Sequence, residues 1–304
     1  MKEYDIIIIG AGPAGLTAGI YGGRQGKKTL ILDKDLVGGV GREVPAMENY
    51  PGFDIIAGIK LIEKIQKQTE KNSEIRELES IKRIDKIKDL DFNFNIETDK
   101  DEYLCKAIIL ATGSSYRHLN VEGEKEFLGR GVAYCATCDG MFFRGKDVAI
   151  VGGGNSSLQE AIYLTNIGCN VTIIHRRDKF RADIFLQERI KEKGINVIYS
   201  SQVKKIEGKN SVESITLLNN KNEEYKLKVS GVFISIGYDP QTELAEKLGV
   251  ELDEKKYIKT DKSQKTNIEY VYSAGDVTGG IKQWIVASSE GAISALSAYN
   301  DLEK

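Results

Sequence analysis

DIIIIGAGPAGLTAGIYGGRQGKKTLILDKD (residues 5–35) and DVAIVGGGNSSLQEAIYLTNIGCNVTIIHRRD (residues 147–178) are two versions of one pattern. A shift of 142 residues lays Gly10 on Gly152, Gly12 on Gly154, Leu16 on Leu158 and Gly26 on Gly168 without a gap. Each copy reads as a short apolar strand, a glycine turn, an amphipathic helix and a second apolar strand. That succession is a βαβ unit of about 30 residues, the building block of dinucleotide-binding folds. Two copies predict two nucleotide sites. The expected fold class is therefore α/β, with two Rossmann-like, three-layer dinucleotide-binding domains.

In the first copy, Gly10-Ala11-Gly12-Pro13-Ala14-Gly15 follows the strand and opens the helix. The first glycine permits the tight turn, the second lets backbone approach a pyrophosphate, and the third lets helix pack on strand. Phosphate charge then meets the positive end of the helix. Asp33 ends the second strand, 23 residues after Gly10, where a carboxylate can bond ribose hydroxyls and would repel a 2′-phosphate. The site is expected to hold an ADP moiety without that phosphate, as in FAD or NAD.

The second loop, Gly152-Gly153-Gly154-Asn155-Ser156-Ser157, places Ser157 where glycine or alanine is expected. At the offset occupied by Asp33 stands His175, followed by Arg176, Arg177 and Arg181. Guanidinium groups bind phosphate in bidentate fashion, so loss of the acid and gain of arginines favours NADP(H) over NAD(H).

The chain has four cysteines. Cys105 and Cys169 are expected to be small buried hydrophobes. Cys135-Ala136-Thr137-Cys138 brings two sulfurs within disulfide reach and leaves the bond open to thiol exchange, with Asp139 beside it as a proton donor or acceptor. The chain offers no further ligands at zinc-like spacing, so redox work is the better reading and no metal is expected.

Composition sets the remaining bounds. The 304 residues suggest about two domains. A formal charge of −2 provides no strong positive field for nucleic acid or an anionic membrane. The early apolar run Ile6–Ile9 is too short for a signal peptide or a membrane span, which leaves a cytoplasmic location as the expectation. Between the repeats, Ile55, Ile56, Ile59 and Ile62 recur at helical spacing and predict a helix over about 57–71. Phe92, Phe94 and Ile96 alternate as a strand does, before a turn at Asp99-Lys100-Asp101. Residues 74–88 fit neither period. Later, 229–236 reads as a strand, 242–248 as a helix closed by Gly249, and a last helix starts near Trp284.

Taken together, GAGPAG, ENYPGF (48–53), ATG (111–113), CATCD (135–139), GGGNSS, HRRDKFRA (175–182), IGYDP (236–240) and AGDVT (274–278), in that order, closely resemble the low-molecular-weight thioredoxin reductases over nearly the whole chain. The resemblance implies an FAD domain formed by 1–115 and 247–304, with an NADPH domain carrying the dithiol, 116–246, inserted between them. It further implies that Asp276, with Gly275, holds the ribitol hydroxyls. Gly38, Gly39, Asn49, Lys282 and Gln283, with Ala111-Thr112-Gly113, would then line the flavin site. Cys138 would be the flavin-proximal sulfur, Cys135 the one that attacks the partner's disulfide, and Asp139 the proton source. The implied route runs from NADPH through FAD to the disulfide and on to a thioredoxin-like protein, in a homodimer. Departures from the family pattern are Ser157, Gln159 in place of a common glutamate, Val40 and Trp284. They leave a ferredoxin-dependent reductase with a degraded nucleotide site as the alternative.

Overall fold

The computed structural model describes residues 1–44, 47, 49–87 and 91–304, with residues 43, 137 and 138 described by their backbone alone. The chain forms two compact units, Met1–Ser115 with Pro240–Lys304, and Tyr116–Asp239. The return to the first unit thus comes at Pro240, upstream of the 246/247 boundary expected from the sequence. The reason is packing: the short helix of residues 243–248 puts Ala245 and Leu248 into the first unit's core beside Ile108 and Val271.

In chain order the strands of the first segment are β1 (Lys2–Ile9), β2 (Thr29–Leu32), β3 (Glu74–Arg76), β4 (Ile81–Lys86), β5 (Phe94–Thr98), β6 (Glu102–Leu110) and β7 (Ser114–Tyr116). Its helices are α1 (Pro13–Arg24) and α2 (Gly58–Thr69). The second unit adds β8 (Val132–Ala133), α3 (Ala136–Asp139), β9 (Asp147–Gly152), α4 (Asn155–Asn166), β10 (Asn170–Ile174), α5 (Ile184–Glu192) and β11 (Asn196–Ile198). An antiparallel meander, β12 (Ser201–Gly208), β13 (Val212–Asn219) and β14 (Glu224–Lys228), precedes β15 (Gly231–Ser235) and β16 (Tyr238–Pro240). The return segment contributes α6 (Glu243–Leu248), β17 (Val271–Ser273) and α7 (Trp284–Leu302).

The first unit's sheet runs β3-β2-β1-β6-β5-β4, with β17 on the C-terminal half of β6. β1, β2, β3, β6 and β17 are parallel, whereas β5 pairs antiparallel with both β6 and β4. β1 is fully buried from Ile6 to Ile9, as a central parallel strand should be, with α1, α2 and α7 over Ile6 and Ile8 and the α6 region over Ile7 and Ile9. The second unit repeats the plan in a parallel sheet, β11-β10-β9-β15-β8. α1 and α4 each span 12 residues and begin 142 positions apart, each with a glycine at its N-cap. The chain crosses between units twice, within β7 and β16, which pair as a two-stranded sheet.

Candidate functional site

The first glycine loop divides its labour between packing and openness. A Cβ on Gly10 would overlap the Ala111 carbonyl, and one on Gly15 would overlap the Gly10 carbonyl. Those two glycines are required by the protein's own backbone. A Cβ on Gly12 would meet nothing within 4 Å. Gly12 is the N-cap of α1 and no side chain caps that helix, so its first N–H groups are available to an anion. The Gly38 N–H donates to the Ala11 carbonyl at 2.9 Å, which sets a Cβ position on Gly39 only 3.9 Å from the Gly12 Cα. Gly12 and Gly39 therefore line one cradle.

Asp33 closes this cradle at the end of β2. Its Oδ2 accepts the Ala11 N–H at 2.6 Å and its Oδ1 accepts the Asp35 N–H at 2.9 Å, leaving lone pairs for ribose hydroxyls. Burial pushes its carboxyl up against those two hydrogen bonds. Thr112 spends its hydroxyl on the Gln241 carbonyl, and Gln241 N–H returns to Gly113. Gly113 adopts φ +66° and faces open space.

Asp276 is raised by burial, opposed by the nearby Lys282 charge, and its Oδ2 lies 3.5 Å from the Ser114 hydroxyl. Lys282 donates to the Tyr257 hydroxyl at 2.9 Å. Asn49 Nδ2 donates to Gln283 Oε1 at 2.9 Å, so two residues 234 positions apart meet. Trp284 fills the space over Gly41 and meets Tyr50 edge-on at 6.3 Å. These residues fit an FAD: an uncapped helix N-terminus at an open glycine, an acid at the end of β2 with free lone pairs, and a half-buried acid with unsaturated acceptor capacity.

The second loop differs in one detail. Gly152 is again closed in by backbone, and Gly154 is again open. Here, however, the buried Ser157 hydroxyl accepts the Gly154 N–H at 3.0 Å and donates to the Gly154 carbonyl at 2.8 Å. Ser157 thus caps α4 from within. Asn155 is engaged with Asp183 through both atoms of its amide, whereas Ser156 is exposed. His175 does not come out with the arginines. Its ring is buried against Gly153, and Nε2 donates to the Lys179 carbonyl at 3.0 Å. Burial holds its imidazole below the usual value. Arg176, Arg177 and Arg181 are exposed, and among the described residues none forms a salt bridge. The Arg181 N–H donates to the Gly153 carbonyl, which ties this basic turn to the glycine loop. Three unpaired guanidinium groups beside an open glycine fit the 2′-phosphate of NADPH.

Cys135 is disulfide-bonded and immediately precedes α3, whose turn is closed by Asp139 N–H to Cys135 carbonyl at 3.2 Å. Burial raises the Asp139 carboxyl. The side chains of Thr137 and Cys138 lie outside the described residues. Gly140 packs so closely on Leu164 and Ile167 that a Cβ would sit 2.7 and 3.0 Å from them, which seats the dithiol turn on α4. Cys105 and Cys169 are free and buried. Cys169 also donates to the Phe143 carbonyl at 3.2 Å, anchoring the segment after the dithiol. On the other side, the Tyr134 hydroxyl donates to Glu124 at 2.5 Å, and His118 Nδ1 lies 2.5 Å from the same hydroxyl. Glu124 is 2% exposed; burial would raise it, but Tyr134 and three backbone N–H groups outweigh that and hold it low. This anchor escaped the sequence reading because its members carry no motif.

Comparison with known proteins gives one answer. The family profile for pyridine nucleotide-disulphide oxidoreductases matches residues 4–291. The chain is 41% identical over 98% of its length, and 96% of the relative's, to a 34.2 kDa protein in the rubredoxin operon of Clostridium pasteurianum. It is 38% identical to the thioredoxin reductase of Bacillus subtilis over 100% of this chain and 96% of that one. Among solved structures, T. acidophilum thioredoxin reductase superposes with a TM-score of 0.94 at 38% identity, over the whole of both chains. The chain belongs to the pyridine nucleotide-disulphide oxidoreductase family, within its low-molecular-weight thioredoxin reductase branch.

Proposed function

We propose that this protein is a thioredoxin-disulfide reductase that uses NADPH and FAD to reduce a disulfide containing Cys135, and through it a thioredoxin-like protein. One observation carries the reading. A disulfide-bonded Cys135 sits on a turn packed against α4, and α4 opens from a glycine loop flanked by three unpaired arginines.

FAD would be held by Gly10, Gly12–Gly15, Asp33, Gly38, Gly39, Asn49, Asp276 and Gln283, and NADPH by Gly154, Ser156, Arg176, Arg177 and Arg181. When bound, these groups supply a hydride and a two-electron carrier. The chain's own part begins at sulfur. Two electrons and two protons convert the Cys135–Cys138 disulfide to a dithiol, with Asp139 positioned to give and take the proton. Its raised carboxyl suits that exchange. The Cys135 thiolate then attacks the partner's disulfide and forms a mixed disulfide. Cys138 displaces the partner, which leaves with both electrons and two protons as a dithiol. Phe142, 73% exposed, and Met141 follow directly and offer an apolar surface to such a partner. Phe142 borders a groove of about 550 Å³ that also includes Arg130, Lys146 and Glu213.

The working form in this reading is a cytoplasmic homodimer. Among the described residues no helix is long and apolar enough to cross a membrane. Tyr21, Ile285 and Ile293 leave apolar area exposed on the paired helices α1 and α7, in support of self-association.

The decisive experiment is anaerobic titration of the purified protein with NADPH, following flavin absorbance. Bleaching at near-stoichiometric NADPH, with recovery on adding oxidised thioredoxin, is the expected result. A flavin that bleaches with reduced ferredoxin but not with NADPH would overturn the donor and keep the dithiol chemistry.

A further inference from the structure

The turn that carries Asp276 is short and flanked by glycines. It is a three-residue 3₁₀ turn, Asp276–Thr278, between Gly275 at φ +86° and Gly279 at φ +85°. Glycine at both ends gives the backbone on each side of Asp276 unusual freedom. Its backbone is closed by Thr278 N–H to Gly275 carbonyl at 2.9 Å and Gly279 N–H to Asp276 carbonyl at 3.3 Å, and the Thr278 hydroxyl adds a bond to the same Gly275 carbonyl at 2.9 Å. Two outer ties exist: Ala274 N–H donates to the Leu110 carbonyl, and Ile258 N–H donates to that of Val277.

A third tie comes from another element. Glu290 on α7 accepts the Gly275 N–H at 2.7 Å. The same oxygen lies 3.3 Å from the Thr278 hydroxyl, whose single proton also has the Gly275 carbonyl at 2.9 Å, so the Gly275 bond is the firm one. α7 is fixed where Glu290 leaves it, because a Cβ on Gly291 would overlap the Ala14 backbone. A Cβ on Gly275 would likewise lie 2.9 Å from the Ala14 Cβ. Glu290, the Asp276 turn and the first turn of α1 therefore meet at one place. Among the described residues no cation pairs with the half-buried Glu290, so no salt bridge offsets its partial desolvation.

We propose that Glu290 is a positioning residue for Asp276: its carboxylate ties Gly275 to α7 and so fixes the direction in which Asp276 presents its own carboxylate to the flavin's ribityl chain. The proposal rests on the reading of Asp276 given above. The two carboxylates are also coupled by charge. Burial raises both, and the nearby Asp276 charge adds to the rise at Glu290, with Lys282 beside Asp276 and Tyr257 bonded to Lys282. As pH rises above the ordinary glutamate value of 4.5, both acids lose their protons late, and then repel.

The test uses purified holoenzyme and follows free-flavin fluorescence after dilution, from pH 4.5 to 8. Glu290→Ala removes the acceptor and is expected to weaken FAD binding by about tenfold or more, the scale of a lost hydrogen bond to a charged group. Glu290→Gln keeps an acceptor without the charge. It is expected to stay within about threefold of wild type at pH 7 and to flatten the pH dependence of FAD release. A merely space-filling role would not change that profile. Wild-type FAD retention in Glu290→Ala at every pH overturns the proposal, as does Glu290→Gln behaving like Glu290→Ala. Asp276→Ala separates the two ideas. Unchanged FAD binding in that variant overturns the flavin reading of Asp276, whereas weak binding there with normal binding in Glu290→Ala overturns the role of Glu290 alone.

Discussion

Gly10 and Gly12 stand two residues apart and answer the same added methyl in opposite ways. At Gly10 the methyl would overlap the Ala111 carbonyl, and φ +107° is left-handed territory. At Gly12, φ is −74° and the space is open. Gly10→Ala is thus expected to cost roughly 3 kcal/mol or more of folding stability. Gly12→Ala is expected to cost no more than about 1 kcal/mol, the scale of an N-cap change, while weakening FAD binding at least tenfold. Thermal unfolding of the apoprotein beside FAD titration separates the two effects, and equal damage from both would contradict this division. Positions of this kind are legible in a sequence, because spacing alone places them in the glycine loop. The place of Asp33, against the Ala11 N–H, is legible for the same reason. Glu290 is not: within ASSEGAIS it is one acid among small residues, and only tertiary packing brings it to Gly275. His175 was read as a ligand alongside the arginines, yet its ring is taken up by Gly153 and the Lys179 carbonyl.

Elements punctuated by glycine were legible almost to the residue. The helix expected over 57–71 is α2, Gly58–Thr69, and the helix before Gly249 is α6, whose C-cap glycine takes φ +79°. Residues 74–88 resisted, and β4 shows why. Its register against β5 shifts between Ile81 and Arg83, so Ile81 and Ile84 both face the same core although they lie three residues apart. A bulge breaks the period of two on which strand recognition depends. The departure at Ser157 also acts at this scale. By accepting the Gly154 N–H it gives α4 an internal cap that α1, with Gly15 at the matching position, lacks. Ser157→Ala is expected to lower stability by about 1 kcal/mol, read as an earlier urea midpoint for the second unit. No change in that midpoint would mean that the bond to Gly154 contributes nothing net.

Across the whole molecule, the two repeats and their insertion were legible, whereas the return point was not. The resemblance set the return at 246/247, but the burial of Ala245 and Leu248 in the first unit's core puts residues 240–246 with that unit. What closes that unit is a clasp at the last turn of α7. Asp301 accepts from Lys265 at 2.6 Å, from Lys304 at 2.8 Å and from the Tyr272 hydroxyl at 2.6 Å. Burial alone would raise its carboxyl, but these three donors outweigh that and hold it well below the ordinary carboxylate range. A depressed carboxyl contributes stability above its unfolded value of about 3.8, and that contribution is lost as pH falls through the folded value. Glu290 and Asp276 have the reverse sign: a raised carboxyl binds its proton more tightly when folded, so stability declines as pH rises from the ordinary value toward the raised one. The two effects act in different windows, that of Asp301 below about pH 4 and that of Glu290 and Asp276 above their ordinary values, and can be separated by substitution. Asp301→Asn is expected to cost roughly 1–2 kcal/mol at pH 7, a few degrees in the melting midpoint of the first unit, and progressively less as the pH is lowered below about 4. A midpoint difference between wild type and Asp301→Asn that stays constant from pH 7 down to pH 2.5 would mean the clasp holds by packing, not by the charge on Asp301.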